Sequence, residues 1–313
     1  MMREARGRAE LDLRQLQYFF CVYEEGSVTR AARKLHVVQP AISMQLQKLE
    51  SQMGFPLFER TPQGVVPTPE GEAIYELYQP ILLDFQDAQK RAKELQGKVI
   101  GDIVFGFNPS VTDAALGSTL GRFRRRYPHV RVTIHEATSE SLIDLVESGK
   151  LDVASVTLSE APPQRRRPLN TCMLAEEPLL FAARRAPDAA APRSVSIAEI
   201  AGMKLVLPHK GLGFRNILER VAQQAGVEIV PELEMHSTAA VLELVAESDL
   251  ATVLPSIALG RWLSLLPLQA RSIEPDAIRR IGYVHRSSHP LSRASTKFIE
   301  MLKATLLGAI VRI

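Results

Sequence analysis

Polar side chains and one lysine recur between positions 39 and 48 at a spacing that suits a surface that contacts DNA. In a helix over residues 40–53, at about 100° per residue, one face carries Pro40, Ser43, Met44, Gln47, Lys48 and Ser51. Short polar side chains near the start of such a helix can reach base edges, and basic ones further along can reach phosphates. The pattern indicates nucleic-acid recognition, although a simple solvent-exposed helix face would have a similar composition.

Three helices are predicted to hold this face in place. Each has an apolar stripe at helical spacing: Leu13, Leu16, Phe20 and Tyr23 in the first, Val28, Ala31, Ala32 and Leu35 in the second, and Ile42, Leu46, Leu49 and Met53 in the third. Gly26 and Ser27 mark the end of the first helix and the cap of the second. Pro and Gly punctuate the extended residues 58–68, which predicts a β-hairpin. Residues 11–69 are therefore predicted to form a winged helix-turn-helix domain.

Net charge gives the DNA hypothesis little support. Residues 1–97 contain 12 Lys and Arg against 13 Asp and Glu, so this part of the chain is not basic. Between Arg30 and Gln63 there is a modest excess of cations over Glu50 and Glu59, contributed by Arg30, Arg33, Lys34, Lys48 and Arg60. The hypothesis depends on local geometry.

A long helix is predicted to follow, over residues 70–97. Its apolar residues are separated alternately by four and three positions: Ile74, Tyr78, Ile81, Phe85, Ala88, Ala92 and Leu95. This spacing keeps a period of about 3.5 residues, which is typical of a coiled-coil seam between two copies. The alternative is a core helix of the next domain. A dimer seam beside a helix-turn-helix predicts that two half-sites are bound together.

Residues 98–313 are predicted to form an α/β domain of two lobes. Strands over 102–107, 130–135 and 152–158 alternate with helices, which predicts a mainly parallel sheet. The breaker-rich segment 160–168 is a predicted hinge. Lobe 1 is assigned to 98–163 and 271–313, and lobe 2 to 168–268. Two crossings between lobes make a cleft, where ligands commonly bind.

Several polar residues are expected to line this cleft at predicted helix starts. They are Asn108, Ser110, Thr112, His209, Gly211, Ser237 and Thr238. Helix N-termini favour anions, so a small anionic metabolite is the expected ligand. Simple helix capping is the alternative for each residue.

The N-terminal motifs resemble those of the LysR-type transcriptional regulators. The resemblance rests on Ser27–His36, Gln39–Leu46, Leu49-Glu50, Gly54, Leu57–Arg60 and Pro67–Gly71, without gaps over about sixty residues. It implies a tetramer, an N-terminal winged helix, a linker helix and an effector domain like the type 2 periplasmic binding proteins. It also implies DNA contacts at Gln39, Pro40, Ser43 and Met44, with Arg60 supporting the wing, and RNA polymerase as a further partner.

Three positions depart from the pattern of the family. Val38 stands where a Ser or Thr helix cap is common, Met44 where a polar or basic residue is frequent, and Gln63 where the wing often has Arg. Met44 offers an apolar contact, for example to a thymine methyl group. The operator sequence is therefore not carried over from the family.

Other classes of protein find little support in the sequence. The seven histidines show no HExxH spacing and there is no G-x-S-x-G, so we expect no enzyme, metal or cofactor. Cys21 and Cys172 are expected to be small buried residues. No membrane span or signal is evident, which predicts a cytoplasmic protein without a membrane partner. The alternatives are a regulator without an effector and a two-lobed solute-binding protein.

Overall fold

The computed structural model describes residues 11–62, 64–94, 99–158, 168–185, 192–210 and 213–311. The chain divides into two compact units, Met1–Lys90 and Arg91–Ile313. None of the helices in the described ranges has the length and apolar character needed to cross a membrane.

The first unit is a helical domain with a hairpin. Its elements are α1 (Leu13–Glu25), α2 (Val28–Lys34), α3 (Gln39–Met53), β1 (Phe58–Thr61), β2 (Gly64–Pro67) and α4 (Pro69–Glu94). The three predicted stripes pack together in its core, where Leu16, Ala31 and Ile42 are buried. Asp12 and Ser27 cap the first two helices, and Gly26 ends α1 in the left-handed conformation at φ 58°.

The antiparallel hairpin β1–β2 is the predicted wing, and a backbone contact fixes its position. The Val65 amide donates to the Gly26 carbonyl at 3.1 Å. A Cβ atom at Gly64 would lie 2.4 Å from that same carbonyl oxygen, so a larger residue could not approach as closely. The wing is thus attached to the corner between α1 and α2. Gln63, at its tip, lies outside the described residues.

Helix α4 packs one apolar face against this domain. Ile74 and Leu82 are buried in the same core as α1, with Tyr78 partly buried beside them. The ring of Tyr75 stacks on Phe20 and Tyr23, and burial raises the pKa of Tyr75 to about 12. Ile74 is therefore covered within its own unit, and the dimer seam through Ile74 and Tyr78 stays a prediction. A helical period identifies an apolar face but not the partner that covers it.

The second unit is an α/β domain. Its strands are β3 (Gly101–Phe107), β4 (Val130–Glu136), β5 (Val153–Thr157), β6 (Leu169–Arg184), β7 (Ser194–Ser196), β8 (Val206–Leu207), β9 (Leu233–Glu234), β10 (Ala251–Pro255), β11 (Leu268–Glu274) and β12 (Ile278–Arg286). Its helices are α5 (Pro109–Val111), α6 (Gly117–Arg126), α7 (Ser139–Glu147), α8 (Ile197–Ala201), α9 (Gly213–Gln224), α10 (Thr238–Glu247), α11 (Ser256–Leu259), α12 (Trp262–Leu265) and α13 (Arg293–Ala309). A π-helical turn, Thr112–Leu116, joins α5 to α6.

The sheet is mixed rather than mainly parallel, which corrects the prediction. Strand β3 is parallel to β4 and β5, but β12 is antiparallel to β5 and β6. In lobe 2, β10 and β11 are antiparallel to β6, whereas β7 is parallel to β11 and β8 is parallel to β9. The chain returns to lobe 1 through β12, which runs opposite to β5 and β6. The spacing of apolar residues within one strand does not reveal the direction of the neighbouring strands.

Strand β6 runs through both lobes, so the boundaries between the lobes differ from the predicted ones. Its first residues, from Leu169 to Pro178, pair with β12 in lobe 1, and the residues from Leu179 to Arg184 pair with β10 and β11 in lobe 2. Lobe 2 therefore does not begin at residue 168, and residues 271–274 still pair within it. The predicted hinge lies almost entirely outside the described residues. Cys172, on β6, is exposed rather than buried as expected.

Candidate nucleic-acid interface and interlobe cleft

Helix α3 presents the predicted outward face to solvent. Gln39, Pro40, Gln47 and Lys48 are exposed, Ser43 is half-buried, and Met44 is 61% exposed. The opposite face is buried through Ile42, Leu46 and Leu49. An exposed row of donors with one long apolar side chain is suited to a DNA groove, because base edges offer both hydrogen-bond acceptors and thymine methyl groups.

The start of α3 has no side-chain cap. Val38 is the N-cap residue and makes no capping hydrogen bond, and Gln39 and Pro40 follow as the first two helical residues. His36, in the preceding turn, has φ 54°, a left-handed conformation that is uncommon for a residue other than glycine. Pro40 has no N–H and the Ala41 amide donates to the Val38 carbonyl at 3.0 Å, so the Gln39 amide is the group at this end of α3 from which a DNA phosphate could accept.

The predicted cations of the interface fall into two groups. Arg30 donates to the Glu25 carbonyl, and Lys34 forms ion pairs with Glu24 and Glu25. The hydrogen bond from Lys34 holds the pKa of the Glu25 carboxyl below its usual value. Arg33, Lys48 and Arg60 are exposed and have no ion pair within the described ranges. This second group is available for phosphates.

In the second unit, a cleft lies between the two lobes. Its lining residues include Asn108, Ser110, Ser139, Thr157, Phe214, His236, Thr238 and Arg279. The lobes approach closely at its edge, since a Cβ atom at Gly213 of α9 would lie 2.8 Å from Thr157 at the end of β5. Asn108, Ser110 and Thr238 were predicted from the sequence to lie here.

A buried ion pair forms one wall of the cleft. Arg279 donates from Nε to Glu177 at 2.8 Å, and its Nη1 donates to Ser110 Oγ at 2.8 Å. The other Glu177 oxygen accepts from Ser256 Oγ at 3.0 Å and from the Ile257 amide at 2.8 Å. The sequence analysis missed both charged residues, although two adjacent glutamates within an otherwise apolar segment were a usable signal.

Asn108 carries an unused acceptor. It is almost wholly buried, and its Oδ1 has no hydrogen-bond partner among the residues that the structure describes. A buried amide oxygen without a partner costs free energy, so a ligand that donates to it would remove that cost.

Three of the predicted cleft residues lie elsewhere. Thr112 donates to the Asn108 carbonyl at 3.4 Å in the π-helical turn, and Ser237 caps α10 by accepting from Ala240. His209 contacts Glu234 at 3.3 Å and the ring of His236, and does not line the cleft. Ser237 thus caps a helix, as the alternative interpretation stated, whereas the Thr112 hydroxyl bonds back to the preceding turn and caps no helix start. Gly211 lies outside the described residues.

Comparison with known proteins identifies both units. Residues 13–72 match the bacterial regulatory helix-turn-helix model of the lysR family, and residues 96–307 match the LysR substrate binding domain. The chain belongs to the LysR family. It is 27% identical to the DNA-binding transcriptional dual regulator OxyR of Escherichia coli over 306 residues, or 95% of this chain and 97% of that one.

Solved structures of LysR-family proteins share its fold. Full-length OxyR from Pseudomonas aeruginosa superposes with a TM-score of 0.74 at 23% identity, covering 95% of this chain and 97% of that one. Full-length CbnR, solved in complex with its target DNA, superposes with a TM-score of 0.54 at 21% identity, covering 94% and 99%. The chain is thus a LysR-family transcriptional regulator with a winged helix-turn-helix and a two-lobed α/β effector domain.

Proposed function

We propose that this regulator binds operator DNA through α3 and the wing, as a dimer or tetramer joined through α4. The outward face of α3 carries the proposal, because it combines exposed groups for base edges with nearby exposed cations for phosphates. The relative that was solved with its target DNA supports the same use of the fold. RNA polymerase is the proposed further partner, and the cytoplasm, where bacterial DNA lies, the proposed compartment.

Replacing Gln39 or Ser43 with Ala should weaken specific DNA binding by about 1–3 kcal/mol if each makes a good base contact. Both side chains lie off the buried stripe, so the fold should persist. Affinity is measured by mobility shift on a site selected by the wild-type protein. Gln45→Ala is the matched control, because residue 45 is turned about 200° from Ser43 on the same helix. Unchanged affinity in both variants would contradict the assignment of α3.

We propose further that a small anionic metabolite binds in the interlobe cleft and changes regulatory activity. Ser110, Ser139 and Thr238 offer hydroxyl groups there that can donate to an anion. Glu177 neutralises Arg279, so among the described residues these hydroxyl donors, and not an unpaired buried cation, would bind the anion. The Asn108 Oδ1 atom favours a ligand that also carries a hydrogen-bond donor, such as a hydroxy acid or an amino acid. The ligand would act by binding one lobe arrangement better than another.

Asn108→Ala should reduce ligand affinity about tenfold, because one buried hydrogen bond is lost. The test is a thermal-shift screen of hydroxy and amino carboxylates on the full chain, followed by titration of any stabilising compound. Thr112→Val is the control, since its hydroxyl bonds only the backbone and lies off the cleft. If no compound stabilises the wild-type protein, a regulator without an effector becomes the better proposal. Equal affinity in Asn108→Ala would place the site elsewhere.

A further inference from the structure

Thr29 holds the side chain of the first residue of the recognition helix. Its hydroxyl, on α2, donates to Gln39 Oε1 at 3.2 Å. Both side chains are exposed, and Gln39 lies at the end of α3 that also presents Pro40 and Met44. This hydrogen bond therefore joins the two helices of the helix-turn-helix at the surface proposed to face DNA.

The usual partners of a helical threonine hydroxyl are already taken at this position. Such a hydroxyl most often donates to the carbonyl three or four residues earlier, here Gly26 or Glu25. The Gly26 carbonyl accepts from the Val65 amide of the wing at 3.1 Å. The Glu25 carbonyl accepts from Arg30 Nε, also at 3.1 Å. The Thr29 hydroxyl donates instead to Gln39, which lies on the next helix.

The orientation of a glutamine carboxamide decides which base edges it can bind. Its oxygen accepts and its nitrogen donates, and free rotation would allow either to face the groove. Because Oε1 is held against Thr29 of α2, Nε2 is the group of Gln39 available to donate to DNA. Cytosine is the one base whose major-groove edge offers a donor and no acceptor.

We propose that Thr29 is a positioning residue that sets the base preference of Gln39. By fixing the carboxamide, it makes Gln39 a donor to guanine, adenine or thymine and excludes cytosine at the base that Gln39 contacts. This inference rests on the proposed function, because it requires α3 to lie in the major groove of DNA.

The test compares base preference in matched variants of the full-length protein. The wild-type protein first selects a preferred duplex from a randomised pool. The position that Gln39 contacts is then identified as the one at which the Gln39→Ala variant no longer distinguishes between the four bases. Affinities for all four bases at that position are then measured by fluorescence anisotropy. Thr29→Val, which removes only the hydroxyl, should lower the discrimination against cytosine about tenfold. Thr29→Ser, which keeps the hydroxyl, should retain it.

Two further measurements separate positioning from a general loss of structure. In the Gln39→Ala background, Thr29→Val should change the discrimination less than about twofold, because its effect passes through Gln39. Preferences at the other positions of the site should stay the same in Thr29→Val. The inference is overturned if Thr29→Val keeps the wild-type base preference, if it weakens binding equally for all four bases, or if cytosine is the preferred base. If the wild-type protein selects no sequence, the proposed function itself fails.

Discussion

Glu177→Leu should destabilise the effector domain by about 3–5 kcal/mol, because it leaves the Arg279 guanidinium buried without its counter-charge. Glu177 and Arg279 are each 1% exposed, and between them they engage Ser110, Ser256 and the Ile257 amide. Urea unfolding of the full-length chain measures the loss. Trp262 is the only tryptophan of the chain and lies in the effector domain, so its fluorescence reports on this unit.

The neighbouring residue on the same strand supplies the control. Glu176 pairs with Arg280 at 2.9 Å, one position away in the same register, but both side chains are about half exposed. Glu176→Leu should therefore cost less than about 1 kcal/mol. The double variant Glu177→Leu with Arg279→Leu should recover much of the stability lost in Glu177→Leu, because no buried charge remains. A loss in Glu177→Leu as small as that in Glu176→Leu would show that the pair does not support the wall of the cleft.

The N-terminal domain could be predicted closely because its determinants are local. Apolar stripes, the Ser27 cap and Gly26 each act within a few residues, so the bounds of α1 to α3 follow from the sequence. The same holds for the outward face of α3, which is fixed once the buried face is known. The missing cap at Val38 also follows from the sequence, because a valine side chain has no group that can accept a hydrogen bond.

The cleft was predicted less completely because its geometry depends on contacts between distant segments. Glu177 and Arg279 are 102 residues apart in sequence and meet only because β6 and β12 pair. Strand β6 was not predicted, since Glu176, Glu177 and Pro178 interrupt its apolar pattern where it passes from one lobe to the other. Hydroxyl residues at helix starts identified Ser110 and Thr238 but could not separate cleft residues from caps such as Ser237.

In the linker helix α4, too, the sequence pattern could not show which partner covers an apolar residue. The exposed residues of α4 allow a more specific prediction of the dimer seam. Ile74 is buried within its own unit, but Leu77 and Ile81 on α4 are 63% and 51% exposed. Large apolar side chains so exposed, one turn apart, are suited to a second helix. The stripe continues through Phe85, Ala88 and Ala92, while Leu95 lies outside the described residues. We therefore expect the seam to begin at Leu77 rather than Ile74.

Ile81→Asp should abolish both the dimer and specific operator binding. A carboxylate at the centre of the seam would be buried without a partner in the dimer, at a cost of about 3–5 kcal/mol, whereas the exposed position in the monomer leaves the helix-turn-helix folded. A monomer can bind only one half-site, so the binding free energy of the second half-site is lost and the affinity for the operator is low. Sedimentation velocity measures the dimer and mobility shift measures operator binding in the same preparations.

Gln86→Asp is the control, because residue 86 is exposed and lies about 140° from the middle of the stripe around α4. An intact dimer in Ile81→Asp and in Leu77→Asp would reject this seam, whereas loss of the dimer in Gln86→Asp as well would show only that added charge weakens α4.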